Sequence, residues 1–122
     1  MKRILVIDDE ETIRSIFKRF FTGCGYVVDC AEDGEKGLAI LEDVMPDLVI
    51  TDIMMPDVDG LEVVQSMRNN HPDIPVIVIS GGLNAESENS MESNEKSKCK
   101  VFYKPVNLDR LRHSVQELLS ER

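Results

Sequence analysis

Leu48-Val49-Ile50-Thr51-Asp52-Ile53-Met54-Met55-Pro56 carries an apolar run into an aspartate and then into a proline turn. Leu48 to Ile50 reads as a short buried strand, and Pro56 with Asp57 to Gly60 reads as a turn, so the Asp52 carboxylate belongs where strand gives way to loop. Open α/β sheets place their chemistry at such strand ends. A lone aspartate there is more often a turn former than a nucleophile. Its meaning depends on what the other strand ends bring beside it.

Outward from that stretch, apolar strands alternate with helical patterns. Ile4-Leu5-Val6-Ile7 is the first strand, and Ile13, Ile16, Phe17, Phe20 and Phe21 then recur at the spacing of a helix with one buried face, ended by Gly23 and Gly25. Tyr26 to Cys30 is the second strand, and Asp33 is a fair N-cap for a helix carrying Leu38, Leu41 and Val44 inward until Pro46. Gly60 opens a third helix with Leu61, Val64 and Met67 on one face, which stops at Asn69-Asn70-His71-Pro72. Ile77-Val78-Ile79 is the fourth strand and Val101-Phe102-Tyr103 the fifth. From Asn107, a good cap, Leu108, Leu111, Val115, Leu118 and Leu119 mark a last helix. Strands that are apolar throughout and separated by helices imply a parallel sheet covered on both faces. The alternation falters between the fourth and fifth strands. There Asn84 to Lys98 has only Ala85 and Met91 as apolar residues, the composition of a solvated or partly disordered segment.

Composition narrows the function classes. A chain of 122 residues is the size of one domain, able to bury roughly two-thirds of its unfolded surface without staples. Against 14 Lys and Arg stand 23 Asp and Glu, a formal charge of −9, which argues against binding nucleic-acid phosphates. Cys24, Cys30 and Cys99 are odd in number and lack Cys-x-x-Cys spacing, so neither a disulfide framework nor a zinc site is expected, and a reducing compartment is the simpler reading. No stretch is long enough to span a bilayer, and a cytoplasmic protein is expected. His71 and His113 read as surface residues.

The polar residues at the strand ends form a set: Asp8 and Asp9 after the first strand, Asp52 after the third, Ser80 after the fourth and Lys104 after the fifth. In a right-handed parallel arrangement these ends share one edge of the sheet. Two unit charges about 4 Å apart repel by roughly 4 kcal/mol at an effective dielectric near 20, so three clustered carboxylates need a cation or must partly protonate. Few, hard oxygen ligands with open positions suit Mg²⁺. Lys104 adds a point charge for phosphoryl oxygens and Ser80 a hydroxyl donor. Together they describe a carboxylate that accepts a phosphoryl group. Read alone, Asp8-Asp9 is also a helix cap with favourable first-turn charge.

At this point the chain resembles the receiver domain of two-component response regulators. The likeness runs through Val6-Ile7-Asp8-Asp9-Glu10, Ala31-Glu32-Asp33-Gly34, Asp52-Ile53-Met54-Met55-Pro56 with Gly60, Ile79-Ser80-Gly81 and Lys104-Pro105, five fragments in order over residues 1–122. It implies a flavodoxin-like doubly wound sheet with strand order 2-1-3-4-5. It makes Asp52 the phosphoacceptor, Asp9 the direct Mg²⁺ ligand, Asp8 a ligand chiefly through water and the Met54 carbonyl a further ligand. Ser80 would bond a phosphoryl oxygen, Lys104 would bridge the phosphoryl group and the carboxylates, and the Lys104-Pro105 bond would be cis. The implied donor is a sensor histidine kinase or histidine phosphotransfer protein, and a downstream effector would read the switch.

Some features depart from that pattern. The position three before the lysine, usually aromatic in the family, is Val101, and strand alternation turns the neighbouring Phe102 to the opposite face. The polar Asn84 to Lys98 stretch lies where the family builds a helix of its output surface. Met54 and Gly82 offer no side chain to orient a hydrolytic water, so slow self-dephosphorylation is expected. The chain reads as a stand-alone receiver or one cut from a longer regulator. Two other readings compete: a binding module that has lost phosphorylation, and an aspartate-nucleophile phosphatase. The first is opposed by the presence of all the site residues, and the second by Met54 standing where such enzymes carry an acid. Turnover of an outside substrate is not expected.

Overall fold

The structure, a computed structural model, describes residues 1–53, 60–80 and 99–120. Strands β1 (Arg3–Ile7), β2 (Val27–Ala31), β3 (Leu48–Asp52), β4 (Val76–Ser80) and β5 (Cys99–Tyr103) alternate with helices α1 (Glu11–Gly23), α2 (Gly34–Val44), α3 (Gly60–Asn70) and α4 (Leu108–Ser120). All four strand pairings are parallel, in the order β2-β1-β3-β4-β5. The expected strand order is observed. The polar stretch Asn84 to Lys98, the Met54 carbonyl, and Gly81 and Gly82 lie outside the described residues.

Alternation along each strand explains why the strands are apolar throughout. Leu5, Ile7, Val49, Val76, Val78 and Cys99 join Leu41 of α2 and Val63, Val64 and Met67 of α3 in one core layer. Ile4, Val6, Leu48, Ile50, Ile77 and Ile79 meet Phe17 and Phe21 of α1 and Leu111, Val115 and Leu118 of α4 in the other. Every residue of β3 and β4, and of β1 after Arg3, is buried on one side of the sheet or the other, so a polar substitution there would be buried, whereas Arg3, Asp29, Lys100 and Tyr103 are partly exposed. Val101 packs with the first layer and Phe102 with the second, as the alternation requires.

The helices hold to the sheet through a few large side chains. Phe21 is fully buried and meets Phe17 and Phe20 edge to face, with ring centroids 6.3 and 5.1 Å away. Each such ring contributes about 1.5–3 kcal/mol of burial. Ile16, expected on the same face, is instead 43% exposed. The buried stripe is centred on Phe17 and Phe21, and Ile16, one residue before Phe17, is rotated about 100° away from it. Gly25, at φ +98°, turns the chain from α1 into β2 in a conformation that favours glycine. Asp33 caps α2 by accepting a hydrogen bond from the Lys36 N–H at 2.8 Å, and Asn107 caps α4 by accepting one from the Arg110 N–H at 3.1 Å. His71 corrects the surface reading: its side chain is only 14% exposed, with Nε2 2.7 Å from Glu42 Oε1 at the far end of α2. His113 is exposed and sits 2.8 Å from Glu117.

Candidate functional site

Register lines up the polar strand ends. Ile7 of β1 faces Thr51 of β3, so Asp8, one residue further, stands level with Asp52. Asp52 faces Ile79, the residue before Ser80, and Ser80 faces Tyr103, the residue before Lys104. Strand alternation carried one step past the strand ends sends Asp8, Asp52 and Lys104 to the same side of the sheet. Asp8, Asp9 and Asp52 each bring a carboxylate oxygen within 4.8 Å of the others. The Lys104 ammonium donates to Asp52 Oδ2 at 3.0 Å, and the Lys104 N–H donates to the Ser80 carbonyl at 2.8 Å. The Lys104-Pro105 peptide is cis. Asp8, Asp9, Asp52, Ser80 and Lys104 are thus gathered at the carboxyl edge of the sheet.

Burial differs sharply within the group. Asp8, Asp52 and Ser80 are buried and Asp9 is exposed, so the cluster is a recess with one rim carboxylate facing solvent. Burial pushes the Asp8 carboxyl from an ordinary 3.8 up to about 6. The Glu10 N–H opposes that rise, the charges of Asp52 and Asp9 add to it, and the Lys104 charge opposes it. Partial burial works against the Lys104 ammonium. The hydrogen bond to Asp52 and the charges of Asp52, Asp8 and Glu10 outweigh it and lift the ammonium above its usual value. Negative charge therefore exceeds positive charge in the recess, and one ammonium does not balance three carboxylates. That imbalance, presented by oxygen donors alone, fits a hard divalent cation. It fits neither zinc nor copper, which prefer the nitrogen and sulfur donors missing from this cluster.

Asp8 is not a helix cap. The N-cap of α1 is Glu10, which makes no side-chain capping bond. Asp8 Oδ1 instead accepts the Glu10 N–H at 2.9 Å, closing the turn ahead of the helix, and Oδ2 takes no hydrogen bond among the described residues. Arg14 was not singled out by the sequence. Its Nη1 donates to the Asp8 carbonyl at 2.8 Å. The available signal was a cation in the opening turn of α1, where the helix dipole favours the opposite charge.

A doubly wound parallel α/β domain with an acidic recess at the carboxyl edge, completed by a lysine from the last strand, defines the class. The response regulator receiver domain model matches residues 4–116, and the chain belongs to that family. Regulatory protein AtoC of Escherichia coli K12 is 34% identical over 119 residues, covering 98% of this chain and 25% of AtoC. Response regulator MprA of Mycolicibacterium vanbaalenii is 40% identical over 78 residues, covering 64% of this chain and 34% of MprA. The chain therefore spans about a quarter to a third of the length of these curated relatives. Among solved structures, response regulator TrrA of Thermotoga maritima, in complex with Mg²⁺ and BeF, is 37% identical with a TM-score of 0.85, covering 98% of this chain and all of TrrA. A receiver domain protein of Clostridium thermocellum gives a TM-score of 0.91 at 26% identity, covering 99% of this chain and 96% of the other. Among the described residues no helix is long and apolar enough to cross a membrane.

Proposed function

We propose that residues 1–122 act as a phosphoacceptor receiver domain in the cytoplasm. Asp52 takes a phosphoryl group from a phosphohistidine on a sensor histidine kinase or histidine phosphotransfer protein, and the modified domain then alters its contact with a downstream effector. The observation that carries this reading is the surroundings of Asp52. Its buried carboxylate sits at the end of a central strand, is ion-paired with Lys104 at 3.0 Å, and lies beside two further carboxylates.

In the transfer, an Asp52 carboxylate oxygen attacks phosphorus as the bond from phosphorus to the donor nitrogen breaks. The electron pair of that bond leaves with the imidazole, and Asp52 ends as an acyl phosphate. Lys104 moves from the free carboxylate to the phosphoryl oxygens and balances their charge. The Ser80 hydroxyl, at the adjacent strand end, donates to a second phosphoryl oxygen. Asp9 would hold Mg²⁺ directly and Asp8 chiefly through water, with the Met54 carbonyl as a further ligand. The bound cation supplies charge neutralisation between carboxylates and phosphoryl oxygens that would otherwise repel. Nothing in this scheme turns over an outside substrate.

Acetyl phosphate tests the reading without a partner protein. In Mg²⁺ the chain is expected to gain the mass of one phosphoryl group. Chelation of the metal, or Asp9→Ala, should slow that gain at least tenfold. A gain that is equally fast without Mg²⁺ would remove the cation from the account.

A further inference from the structure

Arg14 is placed against a local rule. It lies in the opening turn of α1, where the exposed N–H groups of a helix disfavour a cation, and no carboxylate within 4 Å compensates it among the described residues. Its guanidinium turns back past the helix start and donates to the Asp8 main-chain carbonyl at 2.8 Å. Asp8 is thereby fixed at three points: its N–H donates to the Ala31 carbonyl at 3.1 Å, its carbonyl accepts from Arg14, and its Oδ1 accepts the Glu10 N–H. The Asp8-Asp9-Glu10 turn is tied at once to β2 and to α1.

What Arg14 does not touch matters as much. Among the described residues Arg14 makes no ion pair with Asp8, Asp9 or Asp52. By taking a carbonyl instead, it stiffens the turn and leaves Asp8 Oδ2 and the Asp9 carboxylate for another ligand. We propose that Arg14 is a positioning residue, which presents the Asp8-Asp9 carboxylates to the divalent cation through its bond to the Asp8 carbonyl. The proposal rests on the cation reading of the site given above. Groups that orient the ligands of a metal are commonly worth 10- to 100-fold in affinity.

Charge and position predict opposite signs here, which makes the test sharp. Deleting a positive charge beside a cluster of negative ones should, by charge alone, strengthen the binding of Mg²⁺. Loss of positioning should weaken it. Titration calorimetry of Mg²⁺ alone into the unphosphorylated chain reads the affinity with no activity involved. Arg14→Met, which keeps the apolar stem, is expected to weaken binding about tenfold, and Arg14→Lys, which keeps the charge and a single donor, to fall between it and the unmodified chain. With acetyl phosphate, the Mg²⁺ concentration giving half-maximal phosphorylation should rise by the same factor while the rate at saturating Mg²⁺ stays near that of the unmodified chain. Equal or tighter Mg²⁺ binding by Arg14→Met would overturn the positioning role while leaving the cation reading intact. Should Arg14→Met fail to fold, unchanged affinity in Arg14→Lys together with an unchanged exchange rate of the Glu10 amide would overturn it as well. An unmodified chain that binds no Mg²⁺ would overturn the cation reading itself.

Discussion

Asp8 converts the charge imbalance of the recess into a measurable pH dependence. Its carboxyl titrates near 6 in the folded chain against 3.8 unfolded, because burial and the neighbouring carboxylates oppose ionisation. Between those two values the folded chain holds more protons than the unfolded one, so stability falls as pH rises from about 4 through about 6. The whole effect is on the order of 3 kcal/mol at about 1.4 kcal/mol per pH unit. Thermal unfolding in a chelator, run across that window, should show the decline, and Asp8→Asn should flatten it; an undiminished decline in the variant would assign the titration elsewhere. Mg²⁺ favours the ionised carboxyl, so its binding near pH 6 should release protons, and its affinity should drop as pH falls below 6. Lys104 has the complementary role. Lys104→Met leaves the Asp52 carboxylate, which is only 2% exposed, without its ammonium. Breaking a fully buried pair costs about 3–5 kcal/mol, but this ammonium is about a third exposed, so a loss of about 1–2 kcal/mol is expected in chelator at pH 7. Saturating Mg²⁺ should restore part of it. A loss that Mg²⁺ does not change would mean that lysine and cation do not share the same carboxylates.

Helix α2 bears on the acidic turn through Gly37. A Cβ built there would lie 2.4 Å from Cδ1 and 2.7 Å from Cγ1 of Ile7, a buried side chain immediately before Asp8. Alanine ordinarily favours a helix over glycine by about 1 kcal/mol, but overpacking costs about 1–3 kcal/mol, and Ile7 is itself only 1% exposed, packed in the core. Gly37→Ala should therefore destabilise the chain and weaken Mg²⁺ binding by shifting the end of β1. Ile7→Val, which removes Cδ1, should recover part of both losses in the double variant. A melting point for Gly37→Ala at or above that of the unmodified chain would show that α2 has room to move. The strands and helices were legible in the sequence because each strand must be apolar on both faces and each helix on one. What escaped were features set by contacts distant in sequence or by rotation about a helix. Ile16 fits a helical spacing and is still 43% exposed, Val63 is buried although the sequence reading did not single it out, and the His71 side chain is only 14% exposed beside Glu42. The strand-end residues Asp8, Asp9, Asp52, Ser80 and Lys104 could be read because a parallel sheet forces them to one edge. Arg14 could not, since its partner is a main-chain carbonyl that no residue pattern marks.

At the scale of the whole molecule, a formal charge of −9 surrounds a recess that needs a cation. The field of the chain raises the local concentration of Mg²⁺ and is screened by salt, so Mg²⁺ affinity should fall as monovalent salt rises. The same fold brings three carboxylates, a hydroxyl and a lysine from four separate segments to one sheet edge, so the site exists only when the sheet is assembled. Every step of the proposed transfer requires Asp52 to be the acceptor. After incubation with acetyl phosphate and Mg²⁺, borohydride reduction converts an aspartyl acyl phosphate into homoserine, and peptide sequencing by mass spectrometry then locates it. Homoserine at position 52, with no phosphoryl gain in Asp52→Asn, is the predicted result; an unchanged phosphoryl gain in Asp52→Asn, or homoserine at any other aspartate of the unmodified chain, would contradict it.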